Sequence, residues 1–175
     1  AGVIETAQIT VSDFDGVLAT PSTLTKFTTA TLQTLVTDTT SSPITYGNLE
    51  GWDVNIAFSE GEYSLRLVSL SGGDGSTNGV LTLQETDAGG ITVGPWTTWS
   101  MASNDGSEFQ LKSFYMRGLS AGTYTYEVEG YRNGVKIGSS VITSSIAQTA
   151  WGSLDVSSNS AFENIDQFII KNINS

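Results

Sequence analysis

Cysteine and histidine are both missing from this 175-residue chain. Without cysteine the chain has no disulfides, zinc–thiolate sites or iron–sulfur clusters. Without histidine it has no Ser-His-Asp triad, no imidazole base and no imidazole metal ligand. Any function must therefore use carboxylates, hydroxyls, amides, aromatic rings and the seven lysine and arginine side chains.

Positive charge is also scarce, since 18 acidic residues face 7 basic ones and the formal net charge is -11. Nucleic acids and anionic lipid surfaces need clustered Lys and Arg, so neither is expected as a partner. Long apolar runs are absent too, and we predict no membrane insertion. Calcium and neutral ligands such as sugars remain compatible with the charge, which also serves solubility by itself.

The chain is rich in small polar residues, with 23 Ser, 23 Thr and 19 Gly. Thr and the β-branched and aromatic residues favour strands, while Ser, Gly and Asn favour turns. Roughly eight to ten short strands, separated by turn residues, predict an antiparallel two-sheet β-sandwich of the jelly-roll type. We treat residues 1–175 as one domain, secreted or displayed on a cell surface. Residues 22–36 are open between a short helix and an irregular strand.

A hairpin around Asn133-Gly134 is the clearest local feature, because this pair favours a type I′ turn. A regular two-residue loop pairs Gly130 with Ile137 and Tyr126 with Val141. This register places six side chains on one buried face: Tyr124, Tyr126, Val128, Val135, Ile137 and Val141. It leaves Glu127, Glu129 and Lys136 on the opposite face.

Carboxylates alone can hydrolyse a glycosidic bond, so the composition does not exclude a glycosidase. Glu127 and Glu129 lie about 7 Å apart along the same predicted strand face. Exposed carboxylates in such an arrangement are ordinarily just solvated, and no spacing among the 18 acids marks a catalytic pair. We therefore predict that the protein is not an enzyme.

Several acidic turns offer oxygen ligands of the kind that calcium requires. Asp13 and Asp15 form one such cluster near the N-terminus. Asp166 is the more unusual position, because it lies between Ile165 and Phe168 in an apolar segment. A carboxylate there should be paired, hydrogen-bonded or metal-bound, unless it faces solvent at a sheet edge.

Four tryptophans in a small chain keep a sugar-binding role open, since aromatic faces stack on pyranose rings. Trp96 and Trp99 lie in Gly-Pro-Trp-Thr-Thr-Trp, next to predicted loops, and are the first candidates. Trp52 is the second. The alternative for each of them is packing in the core of the sandwich.

Three segments in the C-terminal part carry a family resemblance: residues 107–113, 129–136 and 161–168. They resemble the jelly-roll modules of extracellular bacterial proteins and are similar to carbohydrate-binding modules of the galactose-binding-like type. The resemblance implies a structural calcium ion held by acidic residues near both ends of the chain. Asp166 matches the later position, and Asp13 or Asp15 the earlier one.

Two functional hypotheses follow. The first is a non-catalytic extracellular module that binds a polysaccharide or other glycan and carries a structural calcium. The second is a structural or adhesive subunit of a cell surface, filament or matrix, which self-associates by pairing its N-terminal strand with the sheet edge of a neighbour.

Overall fold

The computed structural model describes residues 4–13, 23–25, 33–71, 77–85, 96–118, 121–147 and 150–173. These residues form strands and one 3-10 turn, in the order β1 (Ile4–Asp13), β2 (Thr23–Thr25), β3 (Gln33–Thr39), β4 (Ile44–Leu49), β5 (Trp52–Phe58), β6 (Tyr63–Ser71), β7 (Thr77–Glu85), β8 (Trp96–Ser103), β9 (Phe109–Gly118), β10 (Gly122–Arg132), β11 (Val135–Ile146), β12 (Trp151–Asp155), the turn Ser160–Phe162 and β13 (Gln167–Asn172).

The strands form two antiparallel sheets. Strands β12-β9-β1-β7-β6-β3 make one, with β2 beside β1, and β11-β10-β13-β8-β5-β4 make the other. Alternate side chains of both sheets point inward and form one buried cluster, as apolar alternation in a sandwich requires. Its members include Val54, Ile56, Trp99, Val128 and Phe168 from the six-stranded sheet, and Tyr63, Leu65, Leu111, Phe114 and Leu154 from the seven-stranded sheet. The predicted all-β, two-sheet sandwich is confirmed.

The helix considered for residues 22–36 is wrong wherever that segment is described. Thr23–Thr25 is strand β2, and Gln33–Thr39 is strand β3. Residues 26–32 lie outside the described part. The high content of Thr explains the outcome, because β-branched side chains fit a pleated strand better than a helix. Within the described ranges, no helix has the length and apolar character needed to span a bilayer.

Strand β1 lies inside its own sheet. It pairs with β9 from Ile4 to Asp13, while β2 and β7 pair with its other side. The hypothesis that this strand is donated to a neighbouring subunit is therefore wrong for the folded chain. Its hydrogen-bonding groups are already used by three strands of the same molecule.

The turn of the β10–β11 hairpin is confirmed. Asn133 and Gly134 both have positive φ angles, 51° and 73°, as a type I′ turn requires. Arg132 pairs with Val135, also as predicted.

The register beyond the turn differs from the prediction by one residue. A bulge leaves Ile137 unpaired, so Gly130 pairs with Gly138 rather than with Ile137. As a result Glu127 pairs with Val141. From Gly138 onward, the β11 side chains that were predicted to point inward point outward, and the reverse, because strand side chains alternate with a period of two. Val141 is therefore 66 % exposed, and Ile137 in the bulge is 39 % exposed. Val135 keeps its pairing with Arg132 but lies beside the turn and is 63 % exposed, so the predicted burial of all three residues is wrong.

The 3-10 turn Ser160–Phe162 explains this register. A Cβ atom built on Gly138 would lie 2.5 Å from Cβ of Ala161, and one on Gly130 would lie 3.2 Å from Phe162 Cδ1. Two facing glycines therefore make room for the turn against the inner side of the hairpin. The regular register would put Ile137 in place of Gly138 opposite Gly130, where a large side chain has no space.

Substituting Gly138 by alanine should destabilise the protein by about 1–3 kcal/mol through overpacking. The added methyl group meets Ala161, which has no flexible side chain to move away. In the background Ala161→Gly the same substitution should cost much less. Urea unfolding of the double-mutant cycle measures this coupling. Equal costs in both backgrounds would show that the glycine pair does not set the register.

Candidate functional site

Trp96 and Trp99 lie in strand β8, not in a loop, and each is only 1 % exposed. The ring of Trp96 stacks on Tyr126 at a centroid distance of 6.0 Å and meets Trp99 edge-on at 6.2 Å. The indole Nε1 atoms of both residues are buried without a hydrogen-bond partner. Both rings therefore pack between the two sheets.

Trp52 is also buried, at 7 % exposure, and packs edge-on against Phe109 at 5.0 Å. A sugar-stacking residue must offer a ring face to solvent. None of the three predicted tryptophans does so in this conformation. The packing alternative, stated for each of them from the sequence, describes their positions in the structure.

Asp166 lies in the bend before β13, with its carboxylate on the β10–β11 turn. Its Oδ2 atom accepts a hydrogen bond of 2.6 Å from the backbone N–H of Asn133. Its backbone N–H donates to Tyr131 O, and its carbonyl accepts from Ser103 N. The side chain is thus hydrogen-bonded, one of the alternatives expected for it, and it ties the hairpin turn to strands β8 and β13.

The calcium site stays a prediction. Asp13 is the last residue of β1 and pairs with Phe109, while Asp15 lies outside the described residues. In the part of the chain that is described, no group of three or more acidic side chains is placed to hold a metal. The Asp166 carboxylate accepts a hydrogen bond from a backbone N–H, and we assign no chemistry to a metal there.

The outer face of the six-stranded sheet carries a wide, mostly polar surface. Cross-strand pairing aligns its side chains in three rows: Asp53, Ala102, Gln167, Tyr131 and Lys136; Asn55, Ser100, Ile169, Glu129 and Ser139; and Ala57, Thr98, Lys171, Glu127 and Val141. Gln167 Nε2 donates to Ser100 Oγ at 2.7 Å across this face.

A cluster of five side chains stands at the β10 end of this face. We call Glu127, Glu129, Tyr131, Lys136 and Lys171 the Glu129 cluster. The Glu129 side chain is its centre and is only 4 % exposed, although it lies on the outer face. Its Oε1 atom is bound by Lys136 Nζ and, at 2.7 Å, by Lys171 Nζ. Its Oε2 atom accepts a 2.8 Å hydrogen bond from the Tyr131 hydroxyl.

Glu127 completes the cluster through its Oε1 atom, which lies 3.5 Å from Lys136 Nζ. Two carboxylates therefore meet two ammonium groups, and the cluster has no net charge. In a chain with a formal charge of -11 this is a locally neutral region. It neither repels nor attracts a ligand through net charge.

The contacts fix the protonation of the cluster. Burial raises the pKa of Glu129, but hydrogen bonds from Lys136, Lys171 and Tyr131 outweigh it and bring the pKa down to about 2. The hydrogen bond to Glu129 raises the pKa of Tyr131, and the same carboxylate raises that of Lys136. Glu129 thus stays ionised near neutral pH, whereas a carboxyl acting as general acid needs a raised pKa.

Sequence reasoning found part of this cluster. Alternation along β10 placed Glu127 and Glu129 on one outer face, which the structure confirms. Lys171 was not predicted as a member of the cluster, because nothing in the sequence states that β13 pairs with β10. Both carboxylates were predicted to be ordinary solvated groups, although Glu129 is buried among cations and a phenol.

The three segments that resemble carbohydrate-binding modules fall on β9, on the β10–β11 hairpin and on the stretch from the 3-10 turn into β13. Their strands belong to the observed sandwich. Comparison of the chain with protein-family models, curated proteins and solved structures finds no significant match. The sandwich is therefore established by its strands, and the likeness to carbohydrate-binding modules remains an interpretation of the sequence.

Proposed function

We propose that this protein is a non-catalytic, extracellular carbohydrate-binding domain that holds a neutral glycan on the outer face of its six-stranded sheet. The observation that carries the proposal is the Glu129 cluster: a half-buried tyrosine ring surrounded by charge-balanced hydrogen-bonding groups on the outer face of the sheet. The acidic, Cys-free, Ser- and Thr-rich composition supports the secreted or surface location.

The chemistry of the cluster suits a polyhydroxylated, uncharged ligand. The half-buried ring of Tyr131 provides apolar area for a pyranose ring, and its hydroxyl is held in place by Glu129. Lys136 and Lys171 are about two-fifths exposed and provide charged donors for sugar hydroxyls. Gln167, which pairs with Tyr131, extends the polar surface toward the middle of the sheet.

A glycan-array screen followed by titration of the best hit tests this proposal. Replacing Tyr131 by alanine should weaken binding by about tenfold or more, because the ring and the order it gives to Glu129 are both lost. Tyr131→Phe, which keeps the ring, should retain most of the affinity. Tyr115→Ala is the matched control, since Tyr115 is a half-buried tyrosine on β9 of the other sheet.

Unchanged binding in Tyr131→Ala, or an equal loss in Tyr115→Ala, would contradict the assigned site. The same screen is run with calcium and after EDTA. Loss of binding together with a lower melting temperature after EDTA would support the predicted structural calcium. Equal results in both conditions would count against the ion but leave the sheet-face proposal standing.

A structural or adhesive role is the second candidate function. Its original form, donation of the N-terminal strand, does not agree with the position of β1 inside its own sheet. One specific observation still favours assembly through strands: β11 is a long edge strand with three exposed apolar side chains.

A further inference from the structure

We propose that two copies of this chain associate through strand β11, pairing antiparallel so that their six-stranded sheets join into one continuous sheet. This inference concerns the edge of the sheet, and it is independent of whether the outer face binds a glycan.

Beyond its bulge at Ile137 and the contact of Asn159 with Ser139, strand β11 has the properties of an unprotected edge. It is the last strand of the six-stranded sheet and pairs with β10, and in the described part of the chain no strand lies beyond it. It runs for 12 residues, about twice the usual strand length, and has no proline. Lys136 is its single charged residue, so the segment 137–146 is uncharged. A long, uncharged edge is a template for pairing with another strand.

The other sheet edges that the structure describes are less suited to pairing. Strands β3 and β12 each contain an aspartate, Asp38 and Asp155. Strand β4 is six residues long, has an irregular register before Leu49, and contains Asn48 with a positive φ of 55°. Acidic side chains and bulges are common means of blocking edge pairing.

Exposed apolar side chains are concentrated on strand β11 and near it. In the described residues, the large hydrophobic side chains that are exposed number four: Val135, Ile137, Val141 and Ile173. The first three are on β11, and Ile173 follows β13, where its N–H bonds to Thr125 opposite Thr143 of β11. A second copy beside β11 would cover apolar surface that a monomer leaves in water.

The charge distribution favours a contact between two copies of this chain at the β11 edge. Two molecules that each carry a formal charge of -11 repel one another over most of their surfaces. Strand β11 contains no acidic residue, and the nearby Glu127 and Glu129 are neutralised by Lys136 and Lys171. This edge is therefore where two such anionic chains approach with little repulsion.

The geometry fits a twofold dimer. Residues Ser139, Val141, Thr143 and Ser145 lie on the outer face of β11, so antiparallel pairing about one of them keeps like faces together. Asn159 Nδ2 donates to Ser139 O and Ser140 Oγ, which occupies the free edge at Ser139. Pairing about Thr143 joins residues 140–146 of the two copies, places Thr143 beside its own copy, and leaves Ser139 outside the paired segment.

Sedimentation velocity from micromolar to millimolar concentration tests the proposal on the full chain. The wild type should form a dimer, more of it at high salt, because salt screens the mutual repulsion. Thr143→Glu should raise the dimer dissociation constant by about tenfold or more, since two like charges would meet at the twofold axis. Thr45→Glu, on the exposed β4 edge, adds the same charge and should leave the dimer unchanged.

Cross-linking gives a second readout, because the chain contains no cysteine. Thr143→Cys should form a disulfide-linked dimer on oxidation, and Thr45→Cys should not. A wild type that stays monomeric at millimolar concentration and high salt would overturn the proposal. So would a dimer that Thr143→Glu leaves intact while circular dichroism shows native folding. Glycan binding in a strictly monomeric protein would overturn only the dimer and leave the proposed function untouched.

Discussion

Replacing Trp99 by alanine is expected to destabilise the protein by about 3–5 kcal/mol, the usual cost of removing a large aromatic side chain from a core. The Trp99 side chain is 1 % exposed and packs edge-on against Trp96 between the two sheets. Its loss leaves a cavity that the flanking strands cannot fill without leaving their hydrogen-bond ladders. Thermal and urea unfolding should both show the effect.

The variant Trp99→Phe separates packing from ligand binding. It keeps an aromatic ring in the core and removes an indole N–H that has no hydrogen-bond partner, so its cost should be clearly smaller than that of alanine. If Trp99 served a ligand, Trp99→Phe would lose affinity while keeping stability. We expect the opposite: glycan binding follows the folded fraction in both variants.

The buried carboxylate of Glu129 is expected to make stability depend on pH in acid. Its pKa is about 2 in the folded protein and 4.5 in the absence of these contacts. The stabilisation is therefore complete above the unfolded pKa and is lost as the pH falls through the folded one. Because Lys136 and Lys171 are partly exposed and screened, we expect about 2–3 kcal/mol, lost between about pH 5 and pH 2.

Substituting Glu129 by glutamine should remove this dependence. The variant should be about 2–3 kcal/mol less stable near neutral pH, because two ammonium groups lose their main partner. Its stability should approach that of the wild type near the acid end, where Glu129 becomes protonated. Glu163→Gln, at an exposed carboxylate, is the control and should follow the wild-type curve. A Glu129→Gln variant with the wild-type pH slope would show that the cluster does not stabilise the fold.

Local residue preferences are enough to predict the class of this fold. Thr-rich alternating segments predict strands, and Asn133-Gly134 predicts the hairpin turn, because these preferences are set by each residue and its nearest neighbours. The inward positions Tyr124, Tyr126 and Val128 were also predictable, since the extra residue of the bulge lies on β11 and leaves the alternation of β10 unchanged. The missing Cys and His restrict the available chemistry in any fold.

The surfaces on which function depends are set by contacts between distant parts of the chain. The bulge in the hairpin arises because the 3-10 turn Ser160–Phe162 presses against Gly138, a contact between distant parts of the chain. That one-residue shift exposes Val141 and so gives β11 its apolar edge. Trp96 and Trp99 point inward together because β8 also breaks its register near them. Lys171 reaches Glu129 because β13 pairs with β10, and long-range pairing of this kind is not written in local sequence preferences.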